Sequence, residues 1–156
     1  MLKLIAAVDH QWGIGKSGDL LVSLPLDMKH FKEETMGKTV IMGRKTLESF
    51  PNHKPLPNRR NLVLTRNKNY QLEGIEVFHD INDLLSEDAY IIGGGEIYRQ
   101  FLPYCEEASI TQIRHSFEAD TFFPNLDEDS EWMLVDESNI MEEMGYHFTF
   151  RTYRRK

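Results

Sequence analysis

A chain of 156 residues with 40% hydrophobic and 28% charged residues has the composition of a globular domain with its own core. Its formal net charge of −7 argues against nucleic acid or an anionic membrane as the main partner, although an anionic small molecule needs only local positive charge. The single cysteine, Cys105, excludes an internal disulfide and is typical of a reducing compartment, so we expect a cytoplasmic protein.

The N-terminal stretch predicts a buried strand and no targeting segment. Residues 2–8 are mostly apolar, but the polar pair Asp9 and His10 follows too soon for a signal peptide or a membrane span. A short apolar run bounded by polar residues is typical of a buried strand. The histidines are widely scattered and show no metal-ligand spacing, so we expect no metal site.

The next segment, residues 9–19, predicts a loop because it contains Gly13, Gly15 and Gly18. Glycines at this density let a backbone adopt unusual dihedral angles and approach a ligand closely. A plain surface loop is the commoner alternative.

A helix that ends near residues 36–37 is predicted next, and it carries an acid on its apolar side. Ser23 is the predicted N-cap, and Pro25 fits the first turn, where its missing N–H costs nothing. At 100° per residue, Asp27 shares one arc of this helix with apolar side chains. A buried carboxylate is costly unless it is paired or has a chemical role. From this segment alone, an acid favoured by the helix dipole is an equally good interpretation of Asp27.

Three predicted buried strands are each followed by glycine or basic residues. Glycines between a strand and a helix allow a pyrophosphate to approach the backbone, and the carboxyl ends of parallel strands are where ligands bind in such sheets. Basic residues at these ends therefore suggest a multiply phosphorylated ligand, with solvated surface charge as the alternative. The strands are residues 39–42, 61–65 and 90–92, and they are followed by Gly43, Arg44, Lys45 and Thr46, by Arg66, and by Gly93, Gly94 and Gly95.

Towards the end of the chain, the predicted strands alternate between polar and apolar residues. Residues 132–136 and 146–153 alternate in polarity and predict an antiparallel pair. No repeat or linker divides the chain, so we predict one domain over residues 1–156. Its fold class is α/β, with a mostly parallel twisted central sheet, helices on both faces and an antiparallel C-terminal edge. The other predicted elements are short helices at residues 47–50 and 81–85, a helix from residue 96, and strands at residues 75–78 and 108–113.

Several short motifs stand in order along the chain. They are Trp12-Gly13-Ile14-Gly15, Leu24-Pro25 followed by Asp27 and Phe31-Lys32, Met42-Gly43-Arg44-Lys45-Thr46, Leu56-Pro57-Asn58-Arg59, Ile92-Gly93-Gly94-Gly95 with Tyr98, and Asp120-Thr121. In this order they resemble the dihydrofolate reductase family, in its bacterial chromosomal form, over the whole chain. The resemblance implies that family's fold and the NADPH-dependent reduction of 7,8-dihydrofolate to tetrahydrofolate, by hydride transfer to C6 with protonation at N5.

The resemblance also implies ligands and a cellular role. The cofactor would be NADPH, and the small-molecule partners would be dihydrofolate and antifolate inhibitors, with no nucleic acid and no membrane. The protein would be a cytoplasmic monomer that supports one-carbon metabolism and thymidylate synthesis.

Individual residues take roles by the same resemblance. Asp27 would bind the 2-amino group and N3 of the pterin with support from Thr111, and Arg59 would bind the α-carboxylate of the glutamate tail. Residues 9–21 would form a mobile lid. The implied catalytic residues are Asp27, Thr111 and Leu20. The implied substrate-binding residues are Ile5, Ala6, Asp27, Met28, Phe31, Phe50, Leu56, Arg59, Ile92, Tyr98 and Thr111. The implied cofactor-binding residues are Ala7, Ile14, Gly15, Leu20, Gly43, Arg44, Lys45, Thr46, Leu64, Thr65, Arg66, Ile92, Gly93, Gly94, Gly95, Glu96, Ile97, Tyr98 and Thr121.

Alternatives stay open at this point. Leu21 and Val22 stand where the family often has Pro-Trp, which affects the lid and the water beside the acid. Arg60 could point inward in place of Arg59, and Tyr98 could be a plain core residue. The related reductase of riboflavin synthesis shares the fold and NADPH but lacks the helix pattern around Asp27. A non-catalytic nucleotide-binding protein is the alternative from another functional class.

Overall fold

The molecule is organised around one large sheet with a smaller sheet and three helices packed on it. A computed structural model describes residues 1–156. The helices are α1 (Pro25–Thr35), α2 (Arg44–Glu48) and α3 (Gly95–Phe101), with 3₁₀ turns at Pro51–His53, Ile81–Leu84 and Leu102–Tyr104. The strands are β1 (Leu2–Val8), β2 (Gly13–Lys16), β3 (Asp19–Leu20), β4 (Thr39–Gly43), β5 (Arg60–Leu64), β6 (Ile75–Phe78), β7 (Ala89–Gly93), β8 (Glu107–Ile113), β9 (Thr121–Phe122), β10 (Trp132–Glu137), β11 (Met141–Glu143) and β12 (Tyr146–Arg155).

The large sheet is mostly parallel, and its C-terminal edge is antiparallel. Its strand order is β10-β12-β8-β1-β7-β4-β5-β6, and β11 also pairs with β12. β1 is parallel to β7 and β8, and β4 is parallel to β5 and β7. β12 runs antiparallel to β8, β10 and β11. The predicted fold class is confirmed, and β7, β4 and β5 lie side by side, so their glycine-bearing and basic ends share one edge.

Helices cover both faces of this sheet because successive side chains on a strand point in opposite directions. On β4, Val40 packs in one apolar cluster with Leu47 of α2. The next residue, Ile41, packs in another cluster with Ile97 and Phe101 of α3. None of the helices has the length and apolar character needed to cross a membrane.

Two predicted segments differ from the structure. The prediction of a loop over residues 9–19 is wrong in part, because β2 and β3 form there and pair in a three-stranded sheet with β9. A Cβ atom on Gly13 would lie 2.5 Å from the Ala119 Cβ, so the pairing requires glycine at this position. The sequence does not show this requirement, because Ala119 is distant along the chain. The predicted helix at residues 47–50 begins earlier, at Arg44, since a helix of 5 residues is too short for its hydrophobic period to mark its start.

Asp9 links the small sheet to the large one. It is the only Asp or Glu in the chain that is fully buried, with 1% of its surface exposed. Its Oδ1 accepts hydrogen bonds from the backbone N–H groups of Gln11 at 2.8 Å and Gly13 at 2.7 Å. Its Oδ2 accepts from the N–H of Phe117 at 2.9 Å. One carboxylate therefore holds the start of the predicted lid against the segment that follows β8.

We expect Asp9→Asn to lower the free energy of unfolding by about 1.5–3 kcal/mol, the usual contribution of hydrogen bonds to a charged group. Asparagine places an NH₂ group where one of the carboxylate oxygens accepts a backbone N–H, so two donors would face each other. Urea unfolding measures the change, with Asp19→Asn on the exposed strand β3 as the matched control. Equal stability of the two variants would contradict this role of Asp9.

Candidate active site

The helix that carries the predicted acid is capped by a distant strand and not by its own sequence. The prediction of Ser23 as N-cap is wrong: the N-cap is Leu24, which makes no side-chain capping bond. The Ser23 hydroxyl instead lies 2.9 Å from the sulfur of Met28. The N–H of Leu26, one of the orphan donors of the first turn, donates to Glu143 Oε1 at 2.8 Å. Local sequence carries no signal for this contact because the two residues are 117 positions apart.

Asp27 has one oxygen fixed by the protein and one that is free. The hydroxyl of Thr111, a buried residue on β8, donates to Asp27 Oδ1 at 2.6 Å. Oδ2 accepts no hydrogen bond from any protein group. Burial raises the pKa of Asp27 above its ordinary value, while the Thr111 hydrogen bond and the nearby His30 oppose that rise. The structure thus brings Asp27 and Thr111, two of the three predicted catalytic residues, together and leaves Oδ2 available to a ligand.

Apolar side chains converge beside this acid. Ile5 of β1 belongs to an apolar cluster against which four other predicted substrate-binding residues pack, and Ala7 stands opposite Thr111 in the register of β1 and β8. Ala6 packs on the opposite, larger cluster. The wall residues that pack with Ile5 are Phe31, Phe50, Leu56 and Ile92.

Two predicted pocket residues remain on the surface. Met28 has 57% of its surface exposed on α1, and Leu20 has 73% exposed on β3. Leu20 in particular packs in none of the apolar clusters. Both side chains are therefore free to contact a bound ligand.

Tyr98 is a core residue that also supports the pocket. It is buried, and its ring packs edge-on against Phe123 with centroids 4.9 Å apart. Its hydroxyl donates to the carbonyl oxygen of Ile5 at 2.6 Å. This bond ties α3 to the part of β1 that lines the pocket, and it occupies the hydroxyl proton of Tyr98.

Arg59, and not Arg60, has donors available for a ligand. Arg60 forms ion pairs with Glu76 at 2.6 Å and Glu87 at 2.9 Å. Arg59 makes no ion pair; its Nε donates to Thr35 Oγ1 at 2.9 Å, and its Nη1 donates to a backbone carbonyl. Because Thr35 lies on α1, this bond holds the Arg59 guanidinium beside the helix of Asp27, with Nη2 unpaired.

The glycines at the ends of β4 and β7 form a cradle that side chains would fill. A Cβ on Gly95 would lie 2.6 Å from Thr121 Cγ2 and 3.6 Å from Ile14 Cδ1. A Cβ on Gly94 would lie 3.5 Å from Thr46 Oγ1, at the start of α2. The first turns of α2 and α3 leave backbone N–H groups without helix acceptors, so the same cradle offers donors to a phosphate.

Other predicted cofactor residues lie at strand ends and in the small sheet. Gly43 ends β4 directly against α3, since a Cβ there would lie 3.1 Å from Ile97 Cγ1. Gly15 stands opposite Thr121 in the small sheet, while Leu64 ends β5. The peptide bond between Gly93 and Gly94 is cis.

The two predicted phosphate-binding arginines are both paired with carboxylates. Arg44 Nη1 donates to both oxygens of Glu48, at 2.6 and 3.0 Å. Arg66 has 94% of its side chain exposed and lies 3.4 Å from Glu96 Oε1. Lys45 is exposed and Thr65 half-buried beside them.

The departure at residues 21–22 has a structural explanation in part. Val22 packs against a small apolar cluster formed by Leu24, Ile113 and Phe148. The side chain that replaces the family's frequent tryptophan thus joins the packing around the N-terminus of α1. Leu21 is half-buried and belongs to no cluster.

A glycine cradle at the ends of β4 and β7, together with a second site that has a free carboxylate oxygen, fits an α/β enzyme that binds a nucleotide cofactor beside its substrate. The family model for dihydrofolate reductase matches residues 1–155. The chain therefore belongs to the dihydrofolate reductase family, whose members are NADPH-dependent oxidoreductases.

Individual relatives match along nearly their whole length. The chain is 38% identical to the dihydrofolate reductase of Bacillus subtilis (strain 168), over 100% of this chain and 95% of that protein. It is 38% identical to that of Staphylococcus haemolyticus, over 99% of this chain and 95% of that protein. The solved structure of the dihydrofolate reductase from Enterococcus faecalis complexed with NADP(H) and RAB-propyl is similar with a TM-score of 0.89 and 38% identity, over 100% of this chain and 96% of that chain.

The raised pKa of Asp27 predicts a change in stability with pH. Because the folded state favours the protonated carboxyl, ionisation destabilises the fold once the pH exceeds the ordinary Asp value of 3.8, and the penalty grows until the folded-state pKa is passed. Asp27→Asn removes this penalty and keeps an oxygen that accepts from Thr111. We expect the variant to gain stability over the parent at about pH 7.5 and to gain less at about pH 4.5. Thermal unfolding at both pH values measures the gain, and a gain that does not depend on pH would contradict the prediction.

Proposed function

We propose that this chain reduces 7,8-dihydrofolate to tetrahydrofolate with NADPH, by hydride transfer to C6 and protonation at N5. The observation that carries the proposal is the carboxyl of Asp27, held at Oδ1 by Thr111 and unpaired at Oδ2. A carboxyl fixed in this way can accept N–H donors from a planar heterocycle. Membership of the dihydrofolate reductase family supports the same substrate.

Asp27 has two roles in this proposal. It binds the 2-amino group and N3 of the pterin, and it retains the proton that reduction at N5 requires. Burial raises its pKa, so more of the carboxyl stays protonated near neutral pH than at an exposed aspartate. A water molecule would pass the proton to N5. Thr111 fixes the orientation of the carboxyl.

The remaining substrate contacts follow from the pocket walls. The apolar side chains of Ile5, Phe31 and Ile92 pack in the same cluster or against it, and they would exclude water from the reacting ring. Met28 would complete the wall, whereas the side chain of Ala6 packs on the opposite cluster. Arg59 would bind the carboxylate of the substrate's tail through the edge of its guanidinium that the protein leaves unpaired.

The glycine cradle fits the phosphates of NADPH, which when bound supplies the hydride. Gly94 and Gly95 leave the space that side chains would occupy, Thr46 stands at its border, and Lys45 precedes Thr46 on α2. Arg44, Thr65 and Arg66 would surround the phosphate on the 2′ oxygen of the adenosine. Ile14 and Leu20, from the lid, would cover the nicotinamide and keep water out.

The same proposal includes the cellular setting. The protein would act as a cytoplasmic monomer in one-carbon metabolism and thymidylate synthesis, with antifolates as competitors for the dihydrofolate pocket. The net charge of −7 supports a small-molecule partner over nucleic acid.

We expect Asp27→Asn to lower the rate of dihydrofolate reduction at neutral pH by roughly 10² or more, the usual scale for a lost acid–base group, while NADPH binding persists. In the parent, kcat/KM should fall as the pH rises through the raised pKa of Asp27, since the protonated fraction falls; the variant should lose this dependence. The fall in reduced-nicotinamide absorbance measures the rate. Near-normal turnover of the variant at neutral pH would contradict the proposed catalytic role of Asp27.

The same assay separates the alternative functions. A non-catalytic nucleotide-binding protein would leave the absorbance unchanged on mixing with NADPH and dihydrofolate. A reductase of riboflavin synthesis would consume NADPH only with a ribosylamino-pyrimidine.

We further expect the double variant Arg44→Ala, Arg66→Ala to lose most of the preference for NADPH over NADH. Each charged hydrogen bond to the 2′-phosphate typically contributes about 1.5–3 kcal/mol, or roughly ten- to a hundredfold in affinity. The NADPH-to-NADH ratio of kcat/KM is the measurement. Lys29→Ala serves as the control because Lys29 lies on the solvent side of α1. An unchanged ratio in the double variant would show that these arginines do not read the phosphate.

A further inference from the structure

Glu48 holds the guanidinium of Arg44 in place. Both carboxylate oxygens of Glu48 contact the same nitrogen, Nη1, at 2.6 and 3.0 Å, and the pair spans one turn of α2. Neither side chain is fully solvated, with 38% of Arg44 and 31% of Glu48 exposed. The Nε and Nη2 groups of Arg44 donate to no protein acceptor, so one edge of the guanidinium is available to an anion.

Arg44 and Arg66, which follow the neighbouring strands β4 and β5, form what we call the phosphate edge. The second of these arginines has an acidic partner as well. Arg66 on the segment after β5 lies 3.4 Å from Glu96 in the first turn of α3. The two arginines and the two glutamates together carry no net charge. A dianionic phosphate at this edge would therefore find several donors without an excess of positive charge.

We propose that Glu48 is a specificity-determining residue, which limits the affinity for NADPH and thereby the preference for NADPH over NADH. This inference rests on the proposed function of Arg44 as a ligand of the 2′-phosphate. Glu48 keeps Arg44 oriented, and its negative charge opposes the phosphate that shares the same guanidinium.

The two effects of Glu48 can be separated by chemistry. Glutamine keeps a carbonyl oxygen that accepts from Arg44 Nη1, so Glu48→Gln preserves much of the orientation while it removes the charge. Like charges that share one partner repel over a few ångströms, and partial burial leaves this repulsion less screened than it is between fully exposed charges. Glu48→Ala removes both the charge and the acceptor.

The test is the dissociation constant for NADPH and for NADH, measured on the full chain by quenching of intrinsic fluorescence. We expect Glu48→Gln to tighten NADPH binding by roughly three- to tenfold and to leave NADH, which lacks the 2′-phosphate, nearly unchanged. Glu96→Gln should give a smaller gain, because its contact with Arg66 is longer and more exposed. Glu48→Ala should gain less than Glu48→Gln, since Arg44 then loses its anchor.

A matched control is available on another helix. Glu33 forms the same kind of pair, four residues after Lys29 on α1, at 3.9 Å. Glu33→Gln removes one negative charge from the chain at a distance from the phosphate edge, so it should leave both dissociation constants unchanged. The advantage of Glu48→Gln should also shrink at high salt, where charge–charge interactions are screened.

Each remaining outcome decides against the inference. Weaker NADPH binding in Glu48→Gln would show that Glu48 only orients Arg44. Equal tightening of NADPH and NADH would show that its charge acts on another part of the cofactor. The double variant Arg44→Ala, Arg66→Ala, measured in the same series, distinguishes the two levels: if it loses the NADPH preference while Glu48→Gln changes nothing, the inference fails and the proposed function stands. If it retains the preference, the proposed phosphate site fails first.

Discussion

The hydrogen bond from Thr111 to Asp27 fixes the one carboxyl on which the proposed chemistry depends. It joins α1 to β8, a strand in the interior of the large sheet. This bond matters because α1 is otherwise weakly packed: of its 11 residues, Thr35 alone is buried. Glu143 at the first turn and Arg59 near the last turn supply further polar anchors. The helix is held along its length by specific polar contacts more than by apolar burial, and this leaves its apolar side free to line a pocket.

Sequence patterns predicted the features that depend on neighbouring residues. The buried strands and the glycines or bases that follow them are visible as short runs, and the order β7-β4-β5 then brings these ends together. The choice between Arg59 and Arg60 was open in the sequence because adjacent residues of one type look alike. The structure separates them through Glu76 and Glu87, which lie on or near other elements and form ion pairs with Arg60 and not with Arg59.

Sequence patterns did not predict the contacts between distant segments of the chain. Glu143 caps α1 in place of Ser23, which the local sequence predicts as the N-cap. In the sequence, Asp9 marks only the polar end of a strand, whereas in the structure its carboxylate is buried and accepts backbone hydrogen bonds. The Arg44–Glu48 pair is different, since its spacing of four residues is a recognisable helix pattern. The sequence analysis misses this pair because it predicts that α2 begins three residues later, at Leu47, so that Arg44 lies outside the predicted helix. An error in one boundary thus concealed an electrostatic feature of the site.

The position of Thr111 along the chain has a consequence for biosynthesis. Thr111 is 84 residues from Asp27, its strand β8 pairs with β12, and β12 ends at Arg155. A nascent chain still lacking its last strand has the acid and the glycine cradle but leaves one edge of β8 unpaired, and contacts of such sequence separation form late. Ligands that require the complete pocket therefore cannot assist folding on the ribosome until β12 has emerged.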